Sequence, residues 1–220
     1  MFHFEIMMLA VVCAVSAAAV FAKIRDVPMY QALKPAPLLI LVILMFYESS
    51  ISVNGAGYGR MIGMGLVFGL IGDILLLNRS GKLTAFGILS FLIGHVFYIA
   101  AFMSRSPWIS GFSILPVALV AVFVYFFQKK LEGEKRNIIP MLIPYFGVIM
   151  FMCFSAFNTD FSNTRYPVYG IGALMFCASD GLLVWGSFIR NSERIRTLVI
   201  SLYYPAQIII AFYSIYLIRI

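Results

Sequence analysis

Charge is what this chain has least of. Of its 220 residues only 11% are Asp, Glu, Lys or Arg, and nine of these are acidic. Soluble domains use about a quarter charged residues, so a water-facing exterior cannot be built from this composition, and soluble enzymes and binding modules are excluded. Cysteine is equally sparse. Cys13, Cys153 and Cys177 all fall within apolar runs, which argues against a disulfide framework and leaves them as small packing residues. The sequence also lacks a Walker loop, a GxSxG elbow, an HExxH helix, a paired CxxC and a glycine-rich dinucleotide fingerprint. Nucleotide, metal and organic cofactor therefore have no support, and none is expected.

What is there is apolar sequence in long blocks. The chain is 62% hydrophobic, with a mean hydropathy of +0.98. A spanning helix needs about 20 mostly apolar residues. Runs separated by charged or Gly/Pro-containing loops predict helices near 2–22, 35–52, 58–77, 83–104, 110–128, 138–157, 167–189 and 197–218. The runs are continuously apolar rather than alternating, which selects helices over a barrel, because backbone polar groups in lipid must be satisfied within the segment. The expected fold is an all-α integral membrane protein, a single transmembrane helical domain over 1–220 with eight helices in one bundle. The first run ends in VSAAAVFA before Lys23, the small-residue pattern of a signal cleavage site. It lacks an early positive charge and is long enough to span, so it reads as a retained helix. The abundant Phe, Met and Tyr read as lipid-facing packing.

The net charge of +7 would point to nucleic acid in a soluble protein, but here it reports loop placement, and no nucleic-acid partner is expected. Four alternate connections carry Lys23, Arg25 and Lys34; Arg79 and Lys82; Lys129, Lys130, Lys135 and Arg136; and Arg190, Arg194 and Arg196. The opposite side has only Arg60, Arg105, Arg165 and Arg219. The positive-inside rule then puts both termini outside the cytoplasm. The host membrane is expected to be the endoplasmic reticulum in a eukaryote and the plasma membrane in a bacterium.

GLVFGLIGDILLL from Gly65 and GALMFCASDGLLV from Gly172 each put an Asp eight residues after the Gly, at an offset of 107. Pro37 and Pro144 share that offset and are expected to start their helices. This pattern points to two four-helix halves related as parallel repeats, a device known in transporters.

Asp73 and Asp180 are the acids that lie well inside apolar runs; the other seven sit in or beside loops or near the start of the first helix. An ionisable group near a helix centre costs at least ~2.5 kcal/mol on insertion scales, so it faces the bundle interior and marks a functional path or site. The bland alternative is an Asp that hydrogen-bonds a neighbouring helix. Gly65 and Gly69 precede Asp73 on the same face and let another helix approach closely. Two carboxyls in a low-dielectric site cannot both ionise cheaply, so one acid and one base result. That division of labour suits hydrolysis of an acetal-like or enol-ether bond. It suits equally a proton relay in a coupled transporter or lipid translocase, in which the two halves rock.

Further polar residues sit within the runs. His95 has Tyr98 one turn on, and Gln207 has Tyr203 and Tyr204 one turn before it. Each could position a substrate polar group or water; the plainer readings are a core histidine tied to a carbonyl and interhelical hydrogen bonds. Lys34 before Pro35 could hold a lipid phosphate, or be an ordinary loop lysine.

These residues carry a resemblance. LKPAPLLIL from Leu33, GLVFGLIGD ending at Asp73, FGILSFLIGHVFYIAAF containing His95, GALMFCASD ending at Asp180 and YYPAQ ending at Gln207 resemble, in order and spacing, the YhhN-like family of membrane lysoplasmalogenases. The first helix and helices five and six contribute little to it. The resemblance implies eight helices and hydrolysis of the vinyl ether bond of lysoplasmalogens to a fatty aldehyde and glycerophosphocholine or glycerophosphoethanolamine, without metal or organic cofactor. It implies that Asp73 and Asp180 match the family's two motif aspartates, with Lys34, His95, Tyr204 and Gln207 at motif positions. With Tyr98 added from its place one turn after His95, these five are expected to meet a lysophospholipid substrate, while Asp180 protonates the vinyl carbon and Asp73 activates water.

Overall fold

A computed structural model describes residues 2–53, 55–78, 80–106, 114–131, 139–163, 166–190 and 192–219. Arg79, Lys135, Arg136 and Arg165, counted above for orientation, lie outside them. The described residues form α1 Phe2–Ile24, α2 Tyr30–Leu33, α3 Ala36–Ile51, α4 Ala56–Leu75, α5 Gly81–Arg105, α6 Ile114–Lys130, α7 Ile139–Asn163, α8 Val168–Phe188 and α9 Glu193–Arg219. Seven spans among them, with α2 and α3 taken together as one, are long and apolar enough to cross a membrane. This is an all-α bundle of a multi-pass membrane protein. The expected helix at 110–128 corresponds to α6, whose sequence is apolar as far as Phe127.

The second expected helix is divided. Pro35 and Pro37 have no N–H to donate, so the hydrogen-bonded ladder is interrupted between α2 and α3. Lys34 sits at that break and still holds helical dihedrals, its N–H bonding to Tyr30 O at 2.9 Å. Pro144 does not start its helix as expected. It lies inside α7, where a lipid-embedded helix can carry a proline if neighbouring groups satisfy the freed carbonyl. Pro205 is likewise inside α9.

The hairpins α4–α5 and α8–α9 form the most intimate pairs, with α3 and α7 against them. The α4–α5 approach depends on glycine. A Cβ on Gly65 would enter the Tyr98 ring, and one on Gly94 would stand 3.0 Å from Gly65 O. The glycine face expected from sequence is therefore a helix contact. By contrast α1 buries a single stripe, Val12, Ser16, Ala19 and Lys23, at helical spacing, and lies as an outer helix against α3 and α9. Large apolar side chains such as Phe21, Ile43 and Phe126 are about 60% exposed, the arrangement of a bundle surrounded by hydrocarbon. Cys153 and Cys177 are buried and free, whereas Cys13 is exposed rather than packed.

Aromatic residues do more than face lipid. Phe91, Tyr98, Phe102, Phe176, Tyr203 and Tyr204 are buried in the core. Ring centroids lie 5.3 Å apart for Phe176 and Tyr203 and 5.6 Å for Phe91 and Tyr203, in edge-to-face contact. They pack beside the polar groups described next.

Candidate active site

Asp73 lies in the last turn of α4 and Asp180 in the middle of α8, each about 2% exposed. Both line one cavity of about 630 Å³. Its walls come from the end of α1 through α2, from the end of α4 and the first half of α5, from α8 and from the first half of α9. It runs from the carboxyls and Lys34 past Leu183 and Val199 to Lys23, Asp26, Asn78, Ser187 and Arg196 at one end of the bundle. The lining is a mostly apolar channel with a charged rim and two acids at depth.

The two carboxyls have different neighbours. The ammonium of Lys34 lies 3.5 Å from Asp73 Oδ1 and donates to the Asp73 backbone carbonyl at 3.1 Å, with both side chains almost fully buried. Lys34 stands at the α2–α3 junction, and the Tyr204 hydroxyl holds that junction by donating to Lys34 O at 3.0 Å. Lys34 is thus a buried partner of Asp73, not a loop lysine. Asp180 Oδ2 instead accepts from the Tyr145 hydroxyl at 2.6 Å and faces His95 Nε2 at 3.6 Å.

His95 is tied through one ring nitrogen. Nδ1 lies 2.6 Å from Phe91 O, and a carbonyl can only accept, so Nδ1 carries a hydrogen. In the neutral ring Nε2 is then an acceptor, and it faces a carboxyl oxygen. A hydrogen bond between the two would need a further proton, on the imidazole or on the Asp180 carboxyl. At 3.6 Å they are adjacent without a direct hydrogen bond.

Tyr98 and Gln207 meet: the hydroxyl donates to Oε1 at 2.6 Å. His95, Tyr98, Tyr204 and Gln207 are not among the described residues lining the cavity; they form the layer behind it. Four buried polar atoms in this region, Asp73 Oδ2, His95 Nε2, the Tyr203 hydroxyl and Gln207 Nε2, have no hydrogen-bond partner among the described residues. A Cβ on Gly69 would stand 2.9 Å from the Tyr203 hydroxyl and 3.3 Å from Gln207 Nε2, so Gly69 is the floor on which these groups sit. No three of His, Cys, Asp and Glu among the described residues come together as a metal site would require.

Sequence reasoning missed Tyr145, which looks like any other tyrosine of a lipid-facing run. It also placed Glu48 and Asp160 among the loop acids, yet both are buried. Each has a structural partner. Asp160 accepts the N–H groups of Tyr169 and Gly170 at 3.1 and 2.7 Å at the start of α8. Glu48 pairs with Arg219. Neither lines the cavity.

A profile of the YhhN family matches residues 29–213, from α2 to the last turns of α9. The chain belongs to the YhhN family. The YhhN match takes in Lys34, Asp73, His95, Tyr98, Asp180, Tyr204 and Gln207, and leaves out the whole of α1. The chain is 28% identical over 152 residues to the bovine lysoplasmalogenase TMEM86A, covering 68% of this chain and 63% of that protein. It is 26% identical over 152 residues to human TMEM86A, with the same coverage. Identity to the mouse lysoplasmalogenase TMEM86B is 26% over 182 residues, covering 81% of this chain and 72% of the relative. The chain thus spans slightly less than two thirds of the bovine and human TMEM86A proteins it matches. No solved structure matches it.

Proposed function

We propose that this YhhN protein is a lysoplasmalogenase, which hydrolyses the vinyl ether bond of a lysoplasmalogen to a fatty aldehyde and glycerophosphocholine or glycerophosphoethanolamine. The observation that carries the reading is the sharing of one cavity by two buried carboxyls with unlike partners. The names of the related proteins supply the substrate class.

Asp180 is the acid. It faces His95 Nε2 and has an orienting donor in Tyr145. It delivers a proton to the vinyl carbon remote from the ether oxygen, which leaves an oxocarbenium ion. Phe91 and Tyr203, both on the cavity wall, offer aromatic surface to that cation. Asp73, held as a carboxylate by Lys34, takes a proton from the water that attacks the carbon bonded to oxygen. The hemiacetal then collapses: the C–O bond to glycerol breaks, the hydroxyl proton leaves as the aldehyde forms, and the glycerol oxygen is protonated. The acid and base roles are as in other hydrolyses through oxocarbenium-like transition states.

A single-chain lipid enters with its tail among the helices. On this reading the charged cavity rim is cytoplasmic, both termini are extracytoplasmic, and residues 1–220 act as one domain; Lys23 and Arg196 on the rim support this by the positive-inside rule.

The test is aldehyde release from a vinyl ether lysophospholipid by the purified chain in detergent, beside Asp180→Asn and Asp73→Asn. Release by the wild type that each substitution abolishes, with folding intact, is the expected result. No release from several headgroups by folded wild-type protein would overturn hydrolysis and leave the carboxyls to proton-coupled transport, which has no readout once the membrane is gone.

A further inference from the structure

The cavity rim contains a built cluster that the catalytic reading does not use. Lys23, at the end of α1, is only 7% exposed in its side chain, although it sits at the mouth of the bundle. Its ammonium lies 2.6 Å from Glu193 Oε2 and over the Tyr30 ring, 5.2 Å from the centroid. Arg196 bonds the other oxygen of the same carboxylate at 2.9 Å. Glu193 is thus shared between two cations supplied by the neighbouring helices α1 and α9. Both cations line the cavity. The three side chains carry two positive charges and one negative.

The depth of this cluster follows from helix geometry. Ser187, on the rim, is seven residues after Asp180 on α8, and Arg196 is seven residues before Tyr203 on α9. At ~1.5 Å per residue the rim lies roughly 10 Å from the level of the carboxyls on both helices. A three-carbon glycerol with an ether at one end and a phosphodiester at the other spans most of that interval, and the long arms of lysine and arginine cover the remainder.

Resting on the hydrolase reading given above, we propose that Lys23 and Arg196, held apart by Glu193, bind the phosphodiester of the lipid headgroup, so that the glycerol hangs between the rim and the carboxyls as a spacer. Phosphate recognition is then a property of the rim. Lys34, which the sequence offered for that role, is committed to Asp73. Asp26, the other charged group on the described rim, is where an amine beyond the phosphate is met.

The sign of the cluster makes the proposal testable apart from catalysis. A saturated 1-alkyl-glycerophosphocholine has the headgroup but no vinyl ether to hydrolyse, and 1-alkylglycerol has the same tail with no phosphate. Binding of each to the full chain in maltoside detergent is measured, with glycerophosphocholine and inorganic phosphate as competitors. The wild type is expected to prefer the phosphate-bearing lipid by about tenfold or more, the scale of charge-assisted hydrogen bonds. Arg196→Gln and Lys23→Gln should remove most of that preference. Glu193→Gln should increase it, because the shared carboxylate is gone while both cations remain; a merely structural ion pair predicts loss in all three. Equal binding of the two lipids by the wild type, or an unchanged preference in both cation variants, overturns the proposal. Displacement by inorganic phosphate as effective as by glycerophosphocholine also overturns it, since the site is then one for free anions. If headgroup binding holds while no vinyl ether is cleaved, the hydrolase reading fails and the headgroup site stands.

Discussion

Tyr145 on α7 donates its hydroxyl to Asp180 Oδ2 at 2.6 Å, and this bond orients the carboxyl across the α7–α8 interface. On the proposed mechanism the bond holds the acid in the position from which its proton reaches the substrate. Tyr145→Phe keeps the ring and its packing on Phe146 but removes the donor. A hydrogen bond to an ionisable partner is worth about 1.5–3 kcal/mol, so kcat for aldehyde release should fall roughly tenfold to a hundredfold. KM should hardly change, because the headgroup and tail contacts are intact. An unchanged kcat would separate Tyr145 from catalysis.

Lys34 and Asp73 form the second relationship. Removing one partner of a buried ion pair destabilises by about 3–5 kcal/mol, whereas replacing both with neutral groups does far less. Lys34→Met alone should therefore lower the unfolding temperature in detergent markedly, and Lys34→Met combined with Asp73→Asn should recover most of the loss. Both proteins should be inactive. Equal destabilisation of the single and double variants would mean that the pair is not coupled.

The parts legible in the sequence are those that depend on local composition. Long apolar runs gave the helices, and Asp73 and Asp180 stood out because an acid in such a run has no water to meet. The glycines before Asp73 were read correctly as a close-contact face. What could not be read depends on partners distant in the chain. Glu48 looked like a helix-end acid because Arg219, its partner, is 171 residues away. Tyr145 was indistinguishable from interfacial tyrosines until α7 was laid against α8. His95 has the carbonyl tie of its plainer reading on one nitrogen, and only the fold shows that its other nitrogen lies beside Asp180.

The glycine contact itself can be measured. A Cβ at Gly65 overlaps the Tyr98 ring, so Gly65→Ala must push that ring away from Gln207 or open the α4–α5 pair. Overpacking of this kind costs about 1–3 kcal/mol. Gly57, on the same helix, has nothing within 4 Å of its Cβ position. Gly57→Ala should be neutral or stabilise by up to about 1 kcal/mol through helix propensity. Thermal unfolding of the two variants side by side decides the matter; equal midpoints would mean that α4 and α5 do not pack as closely as described.

The last relationship lies at the other end of the bundle from the cavity rim. Arg219, in the last turn of α9, bonds Glu48 Oε2 through Nε at 2.9 Å and Nη2 at 2.5 Å, and also pairs with Glu5 of α1. It joins α1, α3 and α9. Glu48 is 1% exposed, with Oε1 unpartnered among the described residues, while the Arg219 side chain is 21% exposed. The two halves of the pair are therefore unequal. Arg219→Gln strands a buried carboxylate and should cost about 3 kcal/mol or more. Glu48→Gln leaves Arg219 with Glu5 and some solvent, and should cost clearly less. Because Arg219 is 16 residues along α9 from Tyr203, which lies at the level of the carboxyls, roughly 24 Å at ~1.5 Å per residue, neither variant should change aldehyde release per folded molecule. Unfolding midpoints and specific activity of the two proteins test both statements. A larger loss from Glu48→Gln would reverse the assignment of the buried partner, and a fall in activity without unfolding would tie this end of the bundle to the chemistry at the other.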